Sequence, residues 1–588
     1  MLRSKKAQSV VVRRDIEKLN PAALDKLIFA FYKFQKADPG MPPNINEDSF
    51  YVIAGYHGQP FRGAGYGNKE WWGGYCHHGN VLFPTWHRAY LCRLEQALQD
   101  VSGFSDVALP YWNEYKTDKL PEIFTTESYT FQDSIISEGS FEDKDDITVN
   151  DGKITLKHNP LFSYKLQQGF FDNLARMVEG EDKSTKLVDY SKYKEYETVR
   201  CPYSGLVGPS DRDTTEQHNE KMKSDNPIGK LNENISDWLA KESNTQVPGM
   251  TDLYLEAAER APNYTVFSNT TSAAKWNDDN YGRQEKWNSQ FAVSLEKPHN
   301  GVHLAVGGYS MPDRDTTRPT FEGSNGDMGE NDTASFDPIF YFHHCFVDYI
   351  FWLWQQKHGA ETELEVFEGY PGTSPIDAQG PTAFMGADSQ LNMETPLVPF
   401  MIPGKNGGRE YLKSKDIVNI KESEFCHYDY EPAEKPPTLR LAAAADGSAM
   451  PIVRLSGISR ARRPGSFVVG LYADDGTGDG KQLIGVEPVF SRWQVASCAN
   501  CSNTLDVTTH IVLSPDQRIP KKNAWLSRIS TEERIQSARE LKMSVNIWEN
   551  QLTGSRTQRY SYISTSPTES NGERLDATIE VLGGMRTV

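Results

Sequence analysis

The hydrophobic pattern changes character once along the chain. From about residue 20 to 430, stretches of helical periodicity alternate with long loops rich in Gly, Asn, Asp and Pro, such as Pro60–Gly79 and Asn263–Asn288. Beyond that the apolar runs shorten to Thr438–Leu441, Ile452–Leu455, Phe467–Tyr472, Val507–Leu513, Ser544–Trp548 and Thr578–Leu582. Short runs of β-type residues bounded by turn residues predict a sandwich or barrel. Between the two textures lies Glu431–Gly447, with Pro432, Pro436, Pro437 and four consecutive alanines. The pattern therefore predicts a mainly α core over 1–430, a linker over 431–447 and a β-sandwich-like domain over 448–588. No internal repeat is found.

Two of the predicted helices carry histidines. One begins at Pro84, a residue suited to a first turn, and Leu91, Leu94 and Leu98 fall 4, 7 and 11 residues after His87. That spacing puts His87 on the apolar face, pointing inward. Four of the chain's 13 histidines, His57, His77, His78 and His87, lie within 31 residues. One buried imidazole is usually hydrogen-bonded and inert, whereas several converging ones indicate a metal. His78 and His87 are nine residues apart and cannot share a helix face, so His78 should come from the loop before the helix.

A second group lies downstream. His299 and His303 stand at i and i+4, a clamp on one helix face. A helix predicted from Asp337-Pro338 carries the adjacent pair His343-His344. Neighbouring side chains on a helix diverge by about 100°, so one of this pair is expected to ligate and the other to sit behind it or in the core. Two sets of three imidazoles without a carboxylate suit copper, and zinc equally; the residues alone leave both open.

Composition narrows the partners. The formal charge of −18 comes from scattered acids without a basic stripe, which argues against nucleic acid and anionic membrane. No apolar run approaches the length of a membrane span. The first twenty residues hold only Val10–Val12 as an apolar stretch, so the chain reads as intracellular. Seven cysteines in 588 residues read as the usage of a reducing compartment, without a disulfide framework. The sequons at Asn234, Asn263 and Asn269 are given no weight.

At the histidine clusters the chain resembles the type-3 copper family, and within it the fungal latent tyrosinases. Tyr75-Cys-His-His-Gly-Asn-Val-Leu-Phe-Pro-Thr-Trp-His87-Arg is similar to the copper A signature, and Phe336–Asp348 to the copper B signature. The resemblance covers about residues 20–430. It implies a four-helix bundle holding two copper ions, with His57, His78 and His87 on one and His299, His303 and His344 on the other, leaving His343 and Asp348 behind the ligands. It also implies ortho-hydroxylation of monophenols and oxidation of o-diphenols to quinones by dioxygen, of the kind that leads to melanin. A catechol oxidase without the first step is the alternative; a haemocyanin-like carrier fits a non-repeated chain poorly.

Further roles are implied by the same resemblance. Cys76 would form a thioether to His78. Glu296 and Asn300 would hold a water that deprotonates the phenol, whose pKa near 10 calls for a base. The tail would shield the site until an activating protease removes it. In the tail, Cys498 and Cys501 form a lone C-x-x-C suited to delivering Cu(I). Phe490 reads as a sandwich-core residue, with a placeholder role in the substrate pocket as the alternative. Two positions depart from the family's pattern: Tyr349 follows Asp348 where an Arg is common, and Tyr111-Trp-Asn-Glu114 replaces Tyr-Trp-Asp-Trp.

Overall fold

In the computed structural model, the residues described are 1–434 and 450–582, apart from 5–9, 62–73, 117–118, 134, 172–175, 180–184, 189–190, 210, 241–246, 281–290, 313–322, 375–388, 405, 461–462, 464, 475–480, 493–504, 514–517, 520–523, 527–529, 542, 550–562 and 565–576. The first part is helical: α1 Pro21–Lys36, α2 Phe50–Gly55, α3 Phe83–Ser102, α4 Arg212–Lys223, α5 Pro227–Leu239, α6 Met250–Arg260, α7 Tyr264–Ser268, α8 Thr270–Asn280, α9 Glu296–Gly307 and α10 Ile339–His358. The expected four-helix bundle is α3, α10, α6 and α9, packed in that order, with α1 against α3 and α5 against α9. Helix starts and stops follow local chemistry. Pro84 occupies the first turn of α3, and Gly103, Gly308 and Gly359 end α3, α9 and α10 in the left-handed conformation.

The amphipathic reading of α3 understates its burial. Besides Leu91, Leu94 and Leu98, its Trp86, Arg88, Arg93, Glu95 and Gln96 are also buried, because neighbouring elements cover α3 on every side. The charges among them are paired. Arg88 Nε donates to Asp348 Oδ1 of α10 at 2.6 Å, and Arg13 Nε donates to Glu95 Oε2 at 3.1 Å. The hydroxyls of Tyr428 and Tyr430 both donate to Asp348. Those tyrosines sit on the strand Tyr428–Tyr430, which pairs in parallel with Val11–Arg13. Asp348 thus finds its arginine partners at positions 88 and 13. Tyr349, which stands where an Arg is common, stacks on Tyr111 at 5.1 Å.

One expectation fails here. Cys92 of α3 and Cys426 form a disulfide, their Cα atoms 5.6 Å apart. Counting cysteines could not reveal a pair that only the fold brings together across 334 residues. Cys76, Cys201 and Cys345 are buried free thiols.

The tail is strand-rich, as expected. One sheet orders Asp506–Val512, Ile452–Ser459 and Thr578–Leu582; the other orders Lys481–Val489, Phe467–Asp474, Met543–Glu549 and Ile563–Ser564. Side-chain alternation along a strand divides the two faces. Phe467, Val469 and Leu471 point into the tail's own core, while Val468 and Tyr472 join the hydrophobic cluster of the helical part. The tail is therefore packed onto the bundle. Lys297 of α9 pairs with Glu487 at 2.6 Å, and Asp278 of α8 pairs with Arg454 at 2.7 Å and His510 at 2.8 Å. The strand expected at Thr438–Leu441, most of the linker and the Cys498/Cys501 pair lie outside the described residues. The strand Lys481–Val489 and the helix Thr531–Glu540 were not foreseen.

Removing one member of a buried ion pair leaves a charge in a poor solvent. Arg88→Met is expected to lower stability by roughly 3–5 kcal/mol, measured by denaturant unfolding of the full chain. A change under about 1 kcal/mol, the size expected of an exposed pair, would show that Asp348 is adequately held by its tyrosines.

Candidate metal centre

Each histidine reaches the centre from a different element. His57 follows the end of α2, His78 comes from the loop before α3, and His87 lies in the first turns of α3. His299 and His303 stand one turn apart on α9, and His344 lies on α10. Gly301, between the two α9 histidines, lets α9 approach α6: a Cβ there would collide with Met250 Sδ. The rings of His57, His78 and His87 lie 5.3–5.7 Å apart. His87 and His344 stack at 4.5 Å, which brings the two groups together.

The hydrogen bonds fix which nitrogen faces inward. Nδ1 of His57 donates to the Asn331 carbonyl at 3.0 Å, Nδ1 of His87 to the Phe83 carbonyl at 2.8 Å, and Nδ1 of His303 to the Met328 carbonyl at 2.9 Å. His299 Nδ1 donates to Asn300 Oδ1 at 3.0 Å. In the neutral tautomer that leaves Nε2 as a bare lone pair. Nε2 of His57 and of His87 is buried without a hydrogen-bond partner. Nε2 of His344 lies 3.3 Å from Nε2 of both His299 and His303. Converging lone pairs repel one another unless a cation sits among them, and this spacing is that of ligands about 2.0–2.1 Å from one ion. The donor set therefore fits a pair of metal ions bound by imidazole.

Burial holds these imidazoles neutral, as metal ligands must be. It lowers His87 to about 3, and it drives His57, His299, His303 and His344 well below the usual imidazole range, with neighbouring histidines adding to the effect.

The remaining expected residues fall around this centre. Cys76 Sγ lies 3.5 Å from His78 Nδ1. Glu296 is buried, which raises its pKa; one oxygen accepts from Gly79 N at 2.7 Å and the other from Thr270 N at 2.9 Å and Thr270 Oγ1 at 3.2 Å. It thus caps α8 as well as facing the loop that bears His78. Phe490 is not a residue of the tail's own core. Its ring stacks on His303 at 4.1 Å and 20°, with His78 and His299 at 5.8 and 6.0 Å.

Several partners were missed. His343 Nδ1 bonds Glu114 Oε1 at 2.6 Å, so the unusual Glu114 explains where the spare histidine is held. Asp332 and Arg492 meet beside His57. Nothing local distinguishes these charges from surface ones; only the departure at Glu114 was visible.

The chain was compared with known proteins. Residues 47–357 match the family model described as the common central domain of tyrosinase. A tyrosinase of Aspergillus oryzae is 39% identical over 530 residues, covering 85% of this chain and 88% of that protein. A solved tyrosinase from Burkholderia thailandensis at low pH superposes with a TM-score of 0.69 at 34% identity, over 91% of this chain and 94% of that one. An apo-protyrosinase of Aspergillus oryzae, 15% identical, shares the fold over 94% of this chain and 95% of its own with a TM-score of 0.54.

The neutral histidines make a pH prediction. Burial lowers His77 to about 4 and His343, like His87, to about 3, against about 6.5 in an unfolded chain. Between these values the unfolded chain binds more protons, so stability is complete above pH 6.5 and falls as pH drops toward 3. Thermal unfolding of the copper-free chain is expected to show a loss of up to about 1.4 kcal/mol per pH unit for each such histidine. A stability flat from pH 7 to 4 would contradict their burial as neutral groups.

Proposed function

The chain belongs to the tyrosinase family, and we propose from that premise which of its side chains do the work. It is a binuclear copper enzyme that oxidises phenols with dioxygen. His57, His78 and His87 hold one copper, and His299, His303 and His344 the other. The observation that carries this assignment is His344 Nε2 lying 3.3 Å from the Nε2 atoms of both His299 and His303, whose Nδ1 atoms are tied off by donation. Bound copper supplies two electrons at once to dioxygen and a Lewis acid to the phenolate; the protein supplies position, proton transfer and shielding.

Glu296 and Asn300 stand at i and i+4 on α9, neighbours on one face, and bracket His299. A carboxylate offers about four acceptor sites, and Glu296 spends three on Gly79 and Thr270. The fourth serves a water that takes the phenol proton, while Asn300 keeps the His299 tautomer and orients that water. Cys76 is close enough to His78 for a thioether that would fix the ring.

The tail makes the enzyme latent. Phe490 occupies the face of His303 where a phenol ring would lie, and the ion pairs from Asp278 and Lys297 hold the tail in place. Cleavage in 431–447 would free the bundle, and Cys498 and Cys501 would pass Cu(I) inward before that.

Two measurements test this reading. Hydrogen peroxide added to the copper-loaded full chain carrying Phe490→Gly should give an intense near-ultraviolet absorption, and that variant should turn over small phenols at least about tenfold faster than the unaltered chain. Silence in both would remove the copper pair and the plug together. Asn300→Ala is expected to slow monophenol turnover by about 100-fold while catechol turnover falls far less; an equal loss for both would reduce Asn300 to a structural residue.

A further inference from the structure

One buried segment, residues 327–332, reaches both halves of the centre from behind. Its Met328 carbonyl accepts from Nδ1 of His303 at 2.9 Å, and its Asn331 carbonyl from Nδ1 of His57 at 3.0 Å. The segment is pinned from the other side. Asp327 Oδ2 accepts from the Tyr196 hydroxyl at 2.6 Å and from Val199 N at 2.9 Å. Gly329 lies so close to the end of α9 that a Cβ on Gly307 would stand 2.3 Å from its Cα. The side chain of Asn331 takes no part in this pinning. It is 3% exposed, and among the described residues its carboxamide meets two polar groups: Cys76 Sγ, 3.9 Å from Oδ1, and His78 Nδ1, 3.4 Å from Nδ2.

His78 is held unlike its neighbours. Nδ1 of His57, His87, His299 and His303 each faces an oxygen at 2.8–3.0 Å. Nδ1 of His78 faces an amide nitrogen at 3.4 Å, which suits an imidazole that carries its proton on Nε2. A histidine that binds a metal through Nε2 carries the proton on Nδ1 and needs an acceptor there. Half a turn about the last side-chain bond of Asn331 supplies one. It exchanges the oxygen and nitrogen of the carboxamide, which are nearly the same size, and moves no other atom. We propose that Asn331 is the positioning residue of His78: with Oδ1 turned to the ring it accepts from Nδ1–H, commits the Nε2 lone pair to the metal and gives an N–H to the Cys76 sulfur. The imidazole stays neutral, its one proton passing from Nε2 to Nδ1. Sulfur accepts weakly as thiol or as thioether, so the same orientation serves the centre before and after any bond from Cys76 to the ring. The inference rests on the reading that His57, His78 and His87 share one copper. Through its carbonyl and its carboxamide, Asn331 then holds two of that ion's three ligands.

The test reads copper affinity, without substrate. The full chain is loaded with copper and equilibrated against a graded series of a copper chelator, and the metal that remains bound is counted. Asn331→Leu keeps the volume and removes both polar ends, while Asn331→Asp keeps an acceptor. In Asn331→Leu one of the two copper ions is expected to bind about 10- to 100-fold more weakly and the other to stay within about twofold of the unaltered chain. Asn331→Asp should keep both. In a chain that already carries His78→Ala, Asn331→Leu should change release of the remaining copper by less than about twofold, because the two residues act through one ring. Release unmoved by Asn331→Leu, equal weakening of both ions, or a loss in Asn331→Asp as large as in Asn331→Leu overturns the proposal. Asn331→Ala, which adds no new contact, is read in the same way if Asn331→Leu does not fold. An unaltered chain that takes up fewer than two copper ions removes the copper reading itself, and the proposal with it.

Discussion

The centre depends on a carboxylate that never approaches it. Asp348 is buried between Arg88 of α3 and Arg13 of the first strand, and receives hydroxyls from Tyr428 and Tyr430. Arg88 follows His87 directly, and Asp348 lies one helical turn after His344. A single ion pair thus fixes the register of α3 against α10 at the level where the His87 and His344 rings stack. Buried pairs contribute little net stability, but they tolerate few alternative arrangements. Here that intolerance sets the relative height of the two halves of the histidine cluster.

The helices that bear the histidines were legible because their signals are local. Pro84, the leucines after His87, the i, i+4 pair on α9 and the start near Asp337-Pro338 are read within one or two turns, and each helix forms there. The two-texture division was equally visible, since strands and helices differ in period. What was not legible depends on residues far apart. Cys92 and Cys426 look unrelated, Arg13 and Glu95 look like surface charges, and Glu114 looks like an odd substitution until His343 is found against it. Phe490 was misjudged for the same reason. The ring lies just past the end of the strand Lys481–Val489, and only the docking of the tail decides that it meets His303 and not the tail's own core.

The boundary between tail and bundle combines two kinds of contact. Apolar side chains such as Val468, Tyr472 and Val486 merge with the main core, while ion pairs at Asp278, Lys297 and Asp332 set the angle of approach. Apolar area supplies attraction without direction; paired charges supply direction at small net gain. A cover built this way can be held in one orientation and still separate once its covalent connection is lost.

The Cys92–Cys426 bond bears on what such a separation leaves behind. Cys426 precedes the strand Tyr428–Tyr430, and the linker begins at once after it. A chain cut beyond this point acquires a new free end, and free ends usually fray inward. Fraying from any cut beyond Tyr430 would meet a covalent stop at Cys426, backed by the parallel pairing with Val11–Arg13. The tyrosines that hold Asp348 thereby keep their places, and loss of the tail need not travel to the metal-binding helices.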